Sequence, residues 1–295
     1  MHSIMIAIAF TLACWLRLRW RAHRLTWADS WWQALFLFLF PFLLILMTAA
    51  SILAMGASGK MFGFWAGWFS YYCAVCFLVW AIILLLHQAI AGAKLVREVR
   101  TYPPIKIGDK SCRVPNIATL FAAQIGFWQP ELVVSQAMLN RLDPAHLEAV
   151  IAHEEAHAHY RDTFWFFWLG WVRKLTVWLP NTENIWQELL CLRELRADSW
   201  SAQKIDPLLL AESLLLVMDV PSVSESILSA GLSCVAPGNQ LTQRLEALLN
   251  QEDKHNEGEN ITDCDRNRLE SLTKWWFWLG LAGAFLPLAV IPFHV

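Results

Sequence analysis

In this chain of 295 residues, the run His153-Glu154-Glu155-Ala156-His157 holds the side chains best suited to do chemistry. On a helix, four residues advance the chain by about 400°, so the two imidazoles fall within about 40° of each other on one face. Two neutral imidazoles at that spacing can reach one divalent ion, and zinc accepts such ligands. Measured from the direction midway between the rings, Glu154 stands about 80° away, close enough to hold a water at the ion. Glu155 points about 180° away and is excluded from that role. The chemistry to expect is hydrolysis, with Glu154 as general base for a water activated by zinc.

Such a centre needs a third protein ligand and an open fourth position. Glu194-Leu195-Arg196-Ala197-Asp198 sets two carboxylates at i and i+4 on one helical face. Glu194 can bind the ion, and Asp198 can accept the free ring N–H of a histidine ligand and so fix its tautomer. The same stretch also reads as a salt-bridged helix surface, because Arg193 and Arg196 are adjacent. His146 faces the ligand side but lies about 10 Å back along the axis and reads as a surface residue. His159 and Asp162 point away from the metal, where a solvated face or a helix-end contact is expected. Spacing singles out no Tyr, His or Arg to stabilise an oxyanion.

These residues must be positioned by helices. Asp143 at the N-cap with Pro144 at the first helical position starts a helix over about 144–160. Leu147, Val150 and Ile151 give it an apolar side, so the ligands should sit in a partly dry pocket. Further helices are predicted after Ser135 and over about 184–203 and 207–218. Short apolar stretches at 105–107, 118–121 and 132–134, separated by turn residues, predict a small sheet. The strand around 132–134 is a candidate to pair with an extended substrate by edge addition. Residues 251–268 are polar and turn-rich, and predict a tether.

The remaining chain is apolar. The hydrophobic share is 57% and the charged share 16%, against roughly 45–50% and 25% in soluble domains. The excess falls in runs at 4–16, 31–55, 62–90 and 275–293, which read as four membrane spans. The first run is short and has neither the positive leader nor the cleavage site of a signal peptide; Arg17 and Arg19 could snorkel from it. Basic residues concentrate at Arg17 to Arg24, after the third run, and at Lys274, while only Lys60 lies between the second and third runs. The positive-inside rule then puts both termini outside and the central domain in the cytoplasm. The segment 163–179 carries four tryptophans but also Arg173 and Lys174; a helix at the interface or packed on the membrane bundle is expected. A net charge of -2 gives no basic field, so nucleic acid is not an expected partner. Seven cysteines, scattered and odd in number, predict no disulfide framework. Cys73 and Cys76 form C-x-x-C within an apolar run and read as small core residues.

The motifs together resemble the M56 membrane peptidases, which include the beta-lactam sensor-transducers of resistant bacteria. The resemblance centres on Gly126 to Ser135 with its Gly-x-x-x-Pro lead-in, on the 143–162 helix, and on Glu194 to Asp198. Residues 240–250, with Arg244-Leu245 and Leu248-Leu249, are similar to that family's closing helix. The resemblance implies a mainly α membrane protein, with four transmembrane helices and a cytoplasmic α+β zincin-like (gluzincin) domain between the third and fourth. The corresponding regions are 1–92, 93–274 and 275–295. It further implies zinc bound by His153, His157 and Glu194, Glu154 as general base and Asp198 as support. The implied activity is endopeptidase cleavage of a protein in regulated or signalling proteolysis at a bacterial inner membrane, the substrate being a transcriptional repressor or the chain itself. Because the sequence stops at Val295, the penicillin-binding sensor domain of the antibiotic-responsive members is not expected in it. The M48 membrane proteases, with quality-control roles, share the zinc motifs and are the near alternative. A non-catalytic transducer or scaffold that kept the fold is the other.

Overall fold

The computed structural model describes residues 2–20, 27–58, 60–61, 64–65, 67–218, 241–249 and 275–293. These fall into two units. Met1–Leu86, Trp171–Leu189 and Ile261–Val295 make the first; His87–Gly170 and Leu190–Asn260 make the second.

The first unit is helical. It contains α1 (His2–Leu18), α2 (Trp27–Met55) and the N-terminal part of α3 (Trp68–Thr101). α2 and α3 are long and apolar enough to cross a membrane. At 17 residues, or about 26 Å, α1 is shorter than the roughly 30 Å hydrocarbon core. α3 starts at Trp68 and not at the beginning of the third apolar run. Gly56 and Gly67 disfavour helix there, and β1 (Lys60–Met61) pairs antiparallel with β2 (Phe64–Trp65) instead. The last apolar run is Trp275–Gly283 followed by a 3-10 helix, the pair bent by 40°. Pro287, at the second residue of the 3-10 helix, has no backbone N–H to continue the α-helical ladder across the break.

Arg17 does not snorkel. It is fully buried within this unit, its Nη1 donating to Thr182 Oγ1 at 3.2 Å and its Nη2 to the Phe38 carbonyl at 3.1 Å. Asn181, with φ 56°, returns a bond to the Arg17 carbonyl at 2.9 Å. The cation thus joins α1 to α2 and to Thr182, where the helix Thr182–Ser201 begins. Cys73 and Cys76 are free thiols on an exposed face of α3 rather than core residues.

The second unit carries a four-stranded sheet of β3 (Pro104–Ile107), β4 (Lys110–Arg113), β5 (Ala122–Ile125) and β6 (Glu131–Val134), in the order β3-β4-β6-β5. β4 runs parallel to β6, and β5 antiparallel to it. Two sequence expectations are corrected here. The strand expected at 118–121 lies at Ala122–Ile125. β6, offered above as the substrate-pairing strand, has both edges occupied by β4 and β5, so among the described strands the open edge near the site is that of β5. Gly126 makes the β5–β6 connection possible: its φ is 148°, and a Cβ there would stand 2.8 Å from the Gln129 carbonyl oxygen.

Against the sheet packs α5 (Pro144–His159), preceded by α4 (Gln136–Arg141). Ser135 caps α4 and Asp143 caps α5, each accepting a backbone N–H three residues on. Ile151, with Leu147 and Val150, joins Cys112, Leu132, Val134 and Met138 in the core between helix and sheet. On its other side Ala149 meets Leu210 and Ala211 of α8 (Pro207–Met218) and Leu248 of the helical residues 241–249. α5 is therefore covered on two sides, and its polar residues can be buried only where they find partners. α6 (Asp162–Leu175) and α7 (Thr182–Ser201) each have residues in both units. α6 has 14 residues, about 21 Å, too few to cross a bilayer.

Candidate metal centre

All residues of the site belong to the second unit. His153 and His157 project from the same face of α5, 7% and 8% exposed, with their Nε2 atoms 3.1 Å apart. Glu194 of α7, 5% exposed, brings Oε2 to 3.3 Å from His153 Nε2 and Oε1 to 3.7 Å from His157 Nε2. Three ligands at 2.0–2.1 Å from a tetrahedral ion would stand about 3.3–3.4 Å from one another. The spacing here is that of a ligand triangle. Among the described residues, these three form a group able to hold a metal ion.

Each outer ring nitrogen lies beside a carboxylate as well. His153 Nδ1 stands 2.9 Å from Asp198 Oδ1, and His157 Nδ1 stands 2.8 Å from Asp162 Oδ2. A carboxylate accepts only, so each Nδ1 is placed to present its proton outward, which leaves Nε2 as the ligand atom when a metal is bound. Burial opposes charge on His153, yet hydrogen bonds donated to Asp198 and Glu194 override it and raise the ring's pKa to about 9. Burial likewise opposes ionisation of Glu194, while Arg193, His157, His153 and Arg244 hold its carboxyl well below the usual range. The pocket favours a positive charge where the two Nε2 atoms meet. A divalent cation satisfies the donor set, so the residues fit zinc.

Asp198 Oδ1 lies beside the His153 ring, on the helical face that Asp198 shares with Glu194. Contrary to what its place past the end of the helix predicts, Asp162 does not point away from the site; it is 2% exposed and touches His157. The reason is local: Arg161 takes a left-handed φ of 53°, ending α5 and folding the first residue of α6 back toward the ring five positions earlier. The second Asp162 oxygen accepts from Arg196 Nη2. The arginines beside Glu194 are thus not a solvated helix surface; Arg193 Nη2 donates to Glu194 Oε1 at 2.5 Å in a buried pair.

Arg244 is the other residue whose role spacing did not reveal. Its Nε and Nη2 donate to the two Asp198 oxygens at 2.6 and 2.7 Å, and its Nη1 lies 3.4 Å from Glu194 Oε2. The buried aspartate that orients His153 is itself held bidentately. Leu241, Arg244 and Leu248 share a helical face, and a cation within an apolar stripe implies a buried anionic partner. That signal could have found it.

Glu154 and Glu155 part as the helix geometry required. Glu154, 8% exposed, accepts from the backbone N–H of Gln124 in β5 at 3.0 Å. Glu155 pairs with Lys110 at 2.5 Å on another side of the helix. His159 stacks on Trp200, and His146 pairs with Asp143; neither joins the site.

Residues 120–188 match the model of peptidase family M48. The matched stretch runs from just before β5 into α7, taking in His153, Glu154, His157 and Asp162 and stopping short of Glu194. No curated protein matches the chain. The family match and the ligand triangle together support a metallopeptidase.

Proposed function

We propose that the chain is an integral-membrane, zinc-dependent endopeptidase, with His153, His157 and Glu194 as zinc ligands and Glu154 as general base. One observation carries this reading: two inward-facing Nε2 atoms 3.1 Å apart, completed by a buried carboxylate, with each outer nitrogen held by a separate aspartate. Zinc, when bound, supplies a Lewis acid that acidifies water and polarises a carbonyl. Glu154 takes the proton of the attacking water and passes it to the leaving amine. The Gln124 N–H holds one oxygen of Glu154 and leaves the other for that proton. A substrate peptide adds to the outer edge of β5, which no described strand occupies. That edge runs beside Glu154, so the scissile carbonyl comes to the general base.

The finer assignment is an M56-type peptidase in regulated proteolysis, its catalytic unit on the cytoplasmic face of a bacterial inner membrane. The order of Gly126-x-x-x-Pro130, the α5 motif, Glu194-x-x-x-Asp198 and the buried Arg244 supports it. A protein substrate follows, a transcriptional repressor or the chain itself being the candidates. An M48-type quality-control protease is the second reading, favoured by the match over 120–188.

The test pairs metal content with activity. Wild type and Glu154→Gln should both hold one zinc, and His153→Ala should lose it. Glu154→Gln should lose at least about 10²-fold in proteolysis. A comparison of membrane and soluble proteomes between wild type and Glu154→Gln cells then identifies substrates. If the two strains are alike in proteome and in every cleavage assay while zinc is bound, the protein is a scaffold and the protease reading fails.

A further inference from the structure

The second unit carries an aromatic surface that the proposed chemistry does not use. Phe127 and Trp128, in the turn after β5, pack with Phe164, Phe167 and Trp168 of α6. Phe127 lies 5.0 Å by ring centroids from both Phe164 and Phe167, and Trp128 lies 5.0 Å from Phe164. Such clusters ordinarily close a core. This one opens outward, with Trp128 70% and Trp165 58% exposed. Tryptophan, with an apolar body and one N–H, is the side chain most at home between hydrocarbon and water.

The same unit fixes the level of this surface. Gln88 of α3, 2% exposed, donates to the Phe167 carbonyl at 2.6 Å. α3 carries no Asp, Glu, Lys or Arg from Trp68 to Ala93, and Gln88 lies near the end of that uncharged stretch. Lys94 and Arg97 follow on exposed positions. Six residues of helix from Gln88 to Lys94 rise about 9 Å, close to the roughly 5–8 Å of headgroup region on one side of a bilayer. Lipid tails alongside α3 would therefore end near Gln88, with the two cations among anionic headgroups. The aromatic cluster, tied to Gln88, then meets the boundary.

We propose that Phe127, Trp128, Phe164, Trp165 and Trp168 form a docking surface for the lipid–water interface, which holds the catalytic unit against the bilayer. The inference rests on α3 crossing the membrane, and it makes no use of zinc or of Glu154. Trp128 lies four residues from Gln124, whose backbone holds Glu154. Docking there brings the open edge of β5 to the bilayer surface, so segments emerging from the membrane are the favoured class of substrate.

The test is depth-selective photolabelling of the full chain in vesicles of phosphatidylethanolamine and phosphatidylglycerol. The probe is a phospholipid with a diazirine near the carbonyl end of one acyl chain, and the labelled peptides are mapped by mass spectrometry. Peptides holding Trp128 and Trp165 should take several-fold more label than the one holding β3, where Ile105 is 40% exposed. In Trp128→Ser/Trp165→Ser, label on the rest of both segments should fall several-fold, with zinc content unchanged. Label on α3 but no more on Trp128 and Trp165 than on β3 overturns the docking surface alone, as does cross-linking of that surface to protein instead of lipid. Absence of label from α3 overturns the span and the docking surface together.

Discussion

Asp162 gives the sharpest test of the metal centre, because only its position in the fold connects it to the site. Asp162→Ala removes the acceptor 2.8 Å from His157 Nδ1. The ring can then turn, or move its proton to Nε2, and in either case the metal-facing lone pair is no longer held in place. Two independent routes give the magnitude. A buried hydrogen bond to a charged group contributes about 1.5–3 kcal/mol. Loss of an outer partner of a metal-bound histidine typically costs about 10–100-fold in affinity, or about 1.4–2.7 kcal/mol. The two agree, so zinc affinity should fall 10–100-fold in Asp162→Ala. It should fall less in Asp162→Asn, whose side-chain oxygen still accepts the bond. The assay is competition with a chromophoric chelator on detergent-solubilised protein, with His159→Ala as control because that ring stacks on Trp200 and not on the site. Zinc affinity within twofold of wild type in Asp162→Ala, in a protein that melts normally, refutes the reasoning: the aspartate would then be no more than a helix start.

Two further outcomes follow from the charges around the site. Arg244→Leu leaves Asp198 buried without its bidentate partner, so the second unit should lose about 3–5 kcal/mol of stability; denaturant unfolding followed by a probe in that unit reads the change. In metal-free protein the His153 pKa is raised to about 9, above its ordinary value of about 6.5. Its stabilising contribution is then complete below about pH 6.5 and is lost as pH rises through about 9. The melting temperature of the metal-free form should fall across that window, and the fall should be absent in His153→Gln. At pH 7 zinc binding must also displace that proton, so calorimetric binding enthalpies should vary with the ionisation enthalpy of the buffer.

Much was legible in the residues alone because helical chemistry is local. Asp143-Pro144 fixed the start of α5, and the spacing from His153 to His157 fixed a shared face. The same geometry assigned Glu154 and Glu155 to different sides, and the i, i+4 pair Glu194 and Asp198 carried its own reason to be read together. Long uncharged runs identified α2 and α3, since length and hydropathy suffice for that. Tertiary structure decided what depends on contacts between distant segments. β4, with the polar sequence Lys110-Ser-Cys-Arg113, has no apolar alternation to announce it and exists through its pairing with β3 and β6. The open edge beside Glu154 falls to β5 among the described strands because strand order is a property of the sheet, not of any strand. Asp162 reaches His157 through one left-handed residue, and Arg244 reaches Asp198 across 46 positions. A buried charge takes its partner from whatever the fold brings near, and spacing along the chain carries no record of that choice.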